Sequence, residues 1–271
     1  MKESDKQKEF IRKYKRNKIK VVFIQIFILI GILLLWEVLA YKEVINSFIT
    51  SCPSKIVNNI ISLFVNDNLL YHIWVTASET LIAFFITLFV SLIFSLLIYR
   101  FKTFDKVIDP YLTILNSLPK VALGPVIIIW VGANKKSIIL MAILISVIAS
   151  IQSISHGFKG TNKNRVKLLK SFKASEIDIL FNLVIPNNYG IIINQCKINI
   201  GLCLIGVIMG EFLTSKAGIG YLILYGSQVF NLTLVMSGII VLLFLSILLY
   251  KIICNRLYKI ICVIEKHLEC D

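Results

Sequence analysis

Apolar residues along this chain gather into long runs with neither the alternation of a half-buried strand nor the single stripe of a soluble amphipathic helix. Six runs are long enough to cross a bilayer as helices: residues 21–40, 76–98, 112–131, 137–156, 190–212 and 232–254. Each is close to the roughly 20 residues that a helix needs to span the hydrocarbon core. The predicted fold class is therefore all-α, a polytopic membrane helix bundle. The run from Val21 to Ala40 follows a long basic stretch and has no clear small-residue cleavage site, so it is expected to stay as the first span rather than leave as a signal peptide.

Polar segments between the runs set the orientation. Lys and Arg number nine in residues 1–20, three in 99–111, six in 157–189 and four after 250. The alternate segments hold two in 41–75, two in 132–136 and one in 213–231, while Lys120 and Lys197 fall inside runs. Cytoplasmic loops collect the positive charge, so both termini and the 157–189 loop are expected in the cytoplasm. The organisation predicted is a basic tail (1–20), a first span with an external segment (21–75), a core (76–255) and a second tail (256–271). Within the external segment, CPSKIVNNIISLF places Ile56, Ile60, Ile61 and Phe64 on one helical face. That helix either lies on the outer membrane surface or packs on the bundle.

The cytoplasmic loop is the most informative hydrophilic stretch. In KNRVKLLKSF, Val166, Leu169 and Phe172 recur at helical spacing, with Arg165, Lys167 and Lys170 on other faces. Ser175-Glu176-Ile177-Asp178 is a capping signature that starts a second helix. The prediction is helix, turn, helix, with the turn at Lys173-Ala174 and a break at Pro186. Such an element either docks into a groove on another protein or packs on its own bundle.

Three further patterns fall within the spans. Pro119, Gly124 and Pro125 interrupt the third run, and non-helical backbone at membrane depth belongs where it is buried or lines a cavity. Lys120, beside the break, either faces a solute path or reaches back to the cytoplasmic surface. On the fifth run, Gln195, Asn199, Cys203, Gly206 and Gly210 share one face. Gly206 and Gly210 form a GxxxG for close helix approach. Gln195, Asn199 and Cys203 either border a water-filled path or hydrogen-bond between helices. Glu211, near the external end, is either solvated or part of a structural or gating element.

Composition narrows the function classes. The chain has 271 residues, 57% of them hydrophobic, so its net charge of +14 marks loops rather than a nucleic-acid surface. Six cysteines (Cys52, Cys196, Cys203, Cys254, Cys262, Cys270) show no CxxC spacing, and His72, His156 and His267 are scattered. No metal site or disulfide framework is predicted. There is no GxxxxGK[ST] phosphate loop and no nucleophile–base set, so an enzyme is not expected.

The loop resembles the cytoplasmic motif of permease subunits of binding-protein-dependent ABC importers: Glu-Ala-Ala, three residues, Gly, nine residues, Ile, one residue, Leu-Pro. Pro186 matches; Lys167 stands for the Glu and Lys173 for the Gly, with Leu183 and Ile185 as apolar exchanges. Ala174 and Ser175 match the Gly-Ala-Ser form of the sulfonate, taurine and nitrate subgroup. LNSLPKVALGPVIIIWVGANKKSIIL (115–140), GEFLTSKAGIGYLI (210–223), WEVLA (36–40) and PSKIV (53–57) are similar to that subgroup as well. The resemblance implies a type I importer permease working by alternating access on a small solute. It implies a homodimer, cytoplasmic ATPase subunits that bind ATP and Mg, and an external solute-binding protein. No cofactor is expected in this chain. The coupling loop would comprise Lys167, Lys170, Phe172, Lys173, Ala174, Ser175, Glu176, Ile179 and Pro186. Pro119, Lys120, Gln195, Asn199 and Cys203 are candidates for the translocation path, and Glu211 for an external gate. Lysine in place of glutamate at 167 removes one acid–base contact to the ATPase, and lysine in place of glycine at 173 implies a differently shaped turn. The rival readings are an ATPase-independent carrier or channel, disfavoured by few membrane acids and no visible inverted repeat, and a membrane scaffold without transport.

Overall fold

The computed structural model describes residues 5–45 and 50–268. Among them the regular structure is all helix: α1 (Asp5–Tyr41), α2 (Pro53–Asn66), α3 (Leu69–Arg100), α4 (Lys102–Ser117), α5 (Gly124–Val131), α6 (Lys135–Lys159), α7 (Lys163–Ser171), α8 (Glu176–Ile179), α9 (Tyr189–Thr214), α10 (Ile219–Gln228) and α11 (Leu232–Leu268). A 3₁₀ turn, Lys120–Leu123, precedes α5, and a π turn, Leu180–Val184, follows α8. Five helices are long and apolar enough to cross a membrane, and a bent pair makes a sixth candidate.

The third span is broken where Pro119, Gly124 and Pro125 interrupt the run, and the sequence leaves only the angle open. Residues 112–131 are not one straight helix: Lys102–Ser117 and Lys120–Val131 meet at 88°. Leu118 is extended, with φ −68° and ψ 140°, the conformation that proline favours in the residue before it. Gly124-Pro125 then restarts the helix with proline in its first turn, where the missing N–H costs nothing.

The bundle centre is α3, α6 and α9, packed on one another, with α10 and α11 closing one side. Small residues permit the tightest crossing. Gly206 lies over Ala142, and a Cβ at Gly210 would sit 2.9 Å from the Ile138 Cα. α1 runs from the basic tail into the apolar stretch without a break at residue 20 and lies outside the bundle. Its Glu37 accepts hydrogen bonds from the Ser54 amide (3.1 Å) and hydroxyl (2.7 Å), which places a carboxylate at the positive start of α2. α2 packs on the bundle through Ile56 and Leu63, leaving Ile61 and Phe64 exposed.

Candidate functional site

The loop after α6 folds as helix, turn, helix with the turn at Lys173-Ala174, as the sequence pattern predicts, and tertiary contacts decide which face points where. The Asn162 side chain accepts from the Asn164 amide at 2.9 Å and starts α7. The helix ends at Phe172. Lys173 takes a left-handed conformation, φ +60°, and the Ala174 amide returns to the Leu169 carbonyl at 3.1 Å. This is the backbone shape that favours glycine after a helix, so lysine at 173 keeps the turn that its identity argued against. The Ser175 hydroxyl then accepts from the Asp178 amide at 3.1 Å, and Asp178 accepts from the Ser175 amide (3.0 Å) and hydroxyl (2.6 Å). This reciprocal box satisfies orphan donors at the start of α8. The Ser175 hydroxyl and then its amide hold the Asp178 carboxyl below the usual range.

Beyond the cap the helix is not broken at Pro186 as the sequence suggested: the π turn runs on into a short helix, Ile185–Asn187, with the proline in its first turn, and the break falls at Asn188. Ile179 and Val184 are buried with Ile154 and Phe158 from the end of α6, and Leu96 and Tyr99 of α3 pack against them. Asn188 closes the base, donating to the Thr161 hydroxyl and the Val184 carbonyl, both at 2.8 Å. Glu176 forms an ion pair with Arg100, the last residue of α3, and a second contact with Lys170 at 3.7 Å. Lys159 holds Asp105 at 2.5 Å.

The sequence-selected residues therefore divide. Ile179 faces inward and seats the loop on α3 and α6, while Phe172 (74% exposed) and Leu168 (56%) project outward at the turn. Lys167, Lys170, Lys173, Ser175 and Glu176 are exposed; Ala174 and Pro186 are half-buried.

The residues selected within the membrane occupy two other places. Pro119 is exposed at the 88° bend and Lys120 is half-buried beside it, donating to the Asn116 side chain at 3.0 Å. Gln195, Asn199 and Cys203 are buried between α9 and α6. Asn199 Oδ1 accepts from the Ser150 hydroxyl (2.5 Å) and from Gln195 Nε2 (3.0 Å), and the Cys203 thiol meets the Ser146 hydroxyl at 3.4 Å. Ser146 also bonds Thr87 of α3 at 2.8 Å. These groups join three helices. The matching signal was present in Thr87, Ser91 and Ser95, four residues apart on α3, and in Ser146 and Ser150 on α6.

Glu211 is not solvated. It is fully buried and forms part of an interhelical cap on α10. Its Oε2 accepts from the Gly220 amide at 2.6 Å, Thr76 accepts from the Ile219 amide at 2.8 Å, and His72 Nδ1 accepts from the Gly218 amide at 3.0 Å. Side chains from α3 and α9 thus satisfy the orphan amides at the start of a helix that lacks a cap of its own. The glycines of Gly218-Ile-Gly220 leave room for this: a Cβ at Gly220 would lie 2.6 Å from Glu211 Oε2, and Gly218 has φ +112°. Glu79, one turn beyond Thr76, is also buried, and neither carboxylate oxygen has a hydrogen-bond partner among the described residues. His72, Thr76 and Glu79 escaped sequence reading because nothing local couples them to residues near 211–220.

Comparison with known proteins fits this architecture. The profile of the family described as binding-protein-dependent transport system inner membrane component matches residues 88–261. An ABC transporter permease protein of Haemophilus influenzae is 24% identical over 233 residues, covering 85% of this chain and 94% of its own length. The formylaminopyrimidine transport permease ThiX of Halalkalibacterium halodurans is 23% identical, over 70% of this chain and 75% of its own. The taurine transport system permease TauC of Escherichia coli is 20% identical, over 80% and 81%. Among solved structures, the inward-facing MetNI methionine ABC transporter has a chain that superposes with a TM-score of 0.63 at 16% identity. The match covers 70% of this chain and 95% of that one.

Proposed function

This chain belongs to the family of binding-protein-dependent transport system inner membrane components, and we propose that it passes a small polar solute by alternating access, driven through the 163–187 loop. It is a multi-pass permease subunit of an ABC importer of the sulfonate and taurine type. ATPase subunits supply the energy, binding ATP and Mg themselves, and a solute-binding protein delivers the cargo.

The observation that carries the proposed mechanism is the two-faced loop. Its inner face is held in one cluster with the ends of α3 and α6 through Ile179, Val184, Ile154 and Phe158. Its outer tip presents Leu168, Phe172 and Lys173. An ATPase gripping that tip moves α3 and α6 as one body, because the loop has a packed apolar seat and ion pairs rather than a flexible tether. The loop end then faces the cytoplasm, and the α2 end meets the binding protein. In this reading two copies pair, and the bend at Pro119 and Lys120 borders the path between them. The exposed apolar helix α5 supports a second copy there. Taurine and formylaminopyrimidine, in the names of two relatives, support a small polar cargo.

Reconstitution into proteoliposomes with its ATPase and solute-binding partners tests the reading. Uptake should require internal ATP and Mg, and should fall at least about tenfold in Leu168→Asp/Phe172→Asp, which removes an apolar contact of a few kcal/mol. Uptake that continues without ATP would transfer the chain to the carrier class.

A further inference from the structure

We infer that the loop end of the bundle holds a binding site for an anionic phospholipid, with a basic cup for the phosphate and an adjoining apolar groove for a chain. The cup is a cavity of about 350 Å³. Its cationic lining comes from three places: Arg100 and Lys102 where α3 meets α4, Lys159 at the end of α6, and Lys163, Lys167 and Lys170 on α7. Glu176 is the single carboxylate in the wall, and Arg100 and Lys170 already engage it. Lys159 is engaged by Asp105 and Asp109. Lys102, Lys163 and Lys167 have no acidic partner among the described residues. Three unpaired ammonium groups around one cavity call for an anion with several acceptor oxygens.

The second half of the site selects an amphiphile. A groove of about 360 Å³ lies between α3, through Ile93, Leu96 and Leu97, and the start of the second loop helix, through Ile177, Leu180 and Phe181. Arg100 and Glu176 line both spaces, so cup and groove meet at that ion pair. Ile93 to Leu97 belong to the last apolar turns of a membrane-spanning helix, and Arg100 ends it. The groove therefore opens on the hydrocarbon side and the cup on the water side. A free phosphate would use the cup only, whereas a phospholipid uses both, and basic pockets at this depth suit anionic headgroups. A lipid seated across Arg100–Glu176 would clamp α8 to the end of α3.

Native mass spectrometry of the full chain in mild detergent tests this with phosphatidylglycerol, phosphatidylcholine and inorganic phosphate as probes. Phosphatidylglycerol should stay bound, phosphatidylcholine should not, and Lys102→Gln/Lys163→Gln should weaken phosphatidylglycerol at least about tenfold. A control, Lys13→Gln/Lys18→Gln, removes the same charge from α1 and should leave binding unchanged; a monodisperse Lys102/Lys163 variant shows that folding is intact. Equal loss in the control would reduce the effect to net charge and overturn the site. Phosphate competing as strongly as lipid would make the cup a soluble-anion site and overturn the groove. Displacement of lipid by the added ATPase subunit would assign the cup to an acidic protein partner instead.

Discussion

The Thr76 hydroxyl donates a 2.6 Å hydrogen bond to Glu211, joining α3 to α9 at the end of the bundle away from the loop. The same hydroxyl accepts from the Ile219 amide, so one threonine ties three helices together. The family-like stretch from Gly210 to Ile223 thus has a physical reason: the acid caps α10, and the two glycines let it approach.

Removing that acid exposes what it satisfies. Glu211→Ala leaves the Gly220 amide and the Thr76 hydroxyl buried without an acceptor. Unsatisfied buried groups cost about 1–3 kcal/mol each, so the unfolding temperature in detergent should fall by several degrees. Glu211→Gln keeps one acceptor oxygen and should lose less. Equal loss in the two variants would show that both carboxylate oxygens are needed, since glutamine keeps the volume and one of them.

Two glycines on α9 should behave oppositely. A Cβ at Gly210 meets Ile138 at 2.9 Å, whereas one at Gly201 has nothing within 4 Å. Gly210→Ala should destabilise by about 1–3 kcal/mol through overpacking. Gly201→Ala should be neutral or mildly stabilising, since alanine is the better helix former. Thermal unfolding of the two variants side by side is the check.

Much of this was legible from the runs themselves. Five spans, the helix–turn–helix loop and the Ser175 cap rest on local periodicity and capping chemistry, which act within a few residues. What escaped was long-range. Ile179 and Phe172 both read as apolar loop residues, and only packing on Ile154 and Phe158 turns one inward. Arg100 and Glu176 carry no local mark of their pairing. The 88° bend was visible as Pro119 and Pro125 but not as an angle, because neighbouring helices set the direction that a broken helix takes.

The turn at Lys173 yields a third prediction. A non-glycine residue at φ +60° carries a steric cost of about 1 kcal/mol. Lys173→Gly relieves it, at a smaller cost in unfolded-chain entropy. Amide exchange at Ala174 should slow by a few-fold; faster exchange would show that the lysine side chain contributes to the turn.

The cap at α8 should respond to acid. Its carboxyl titrates lower in the folded loop than in the unfolded chain. The stabilisation is therefore present above the ordinary aspartate range and is lost as pH falls through the lowered value. Amide exchange at Asp178, corrected for intrinsic rates, should accelerate below that point in the native protein. In Asp178→Asn the acid-dependent step should vanish.

In the proposed mechanism, the tip of the 163–187 loop is the surface that the ATPase grips. A photo-crosslinking amino acid at position 172, illuminated in membranes that also hold the ATPase subunit, checks this, with the same probe at position 61 on α2 as the opposite-end control. An ATPase adduct should form from 172 and none from 61. An ATPase that co-purifies with the chain yet crosslinks only from 61, or from neither position, would contradict it.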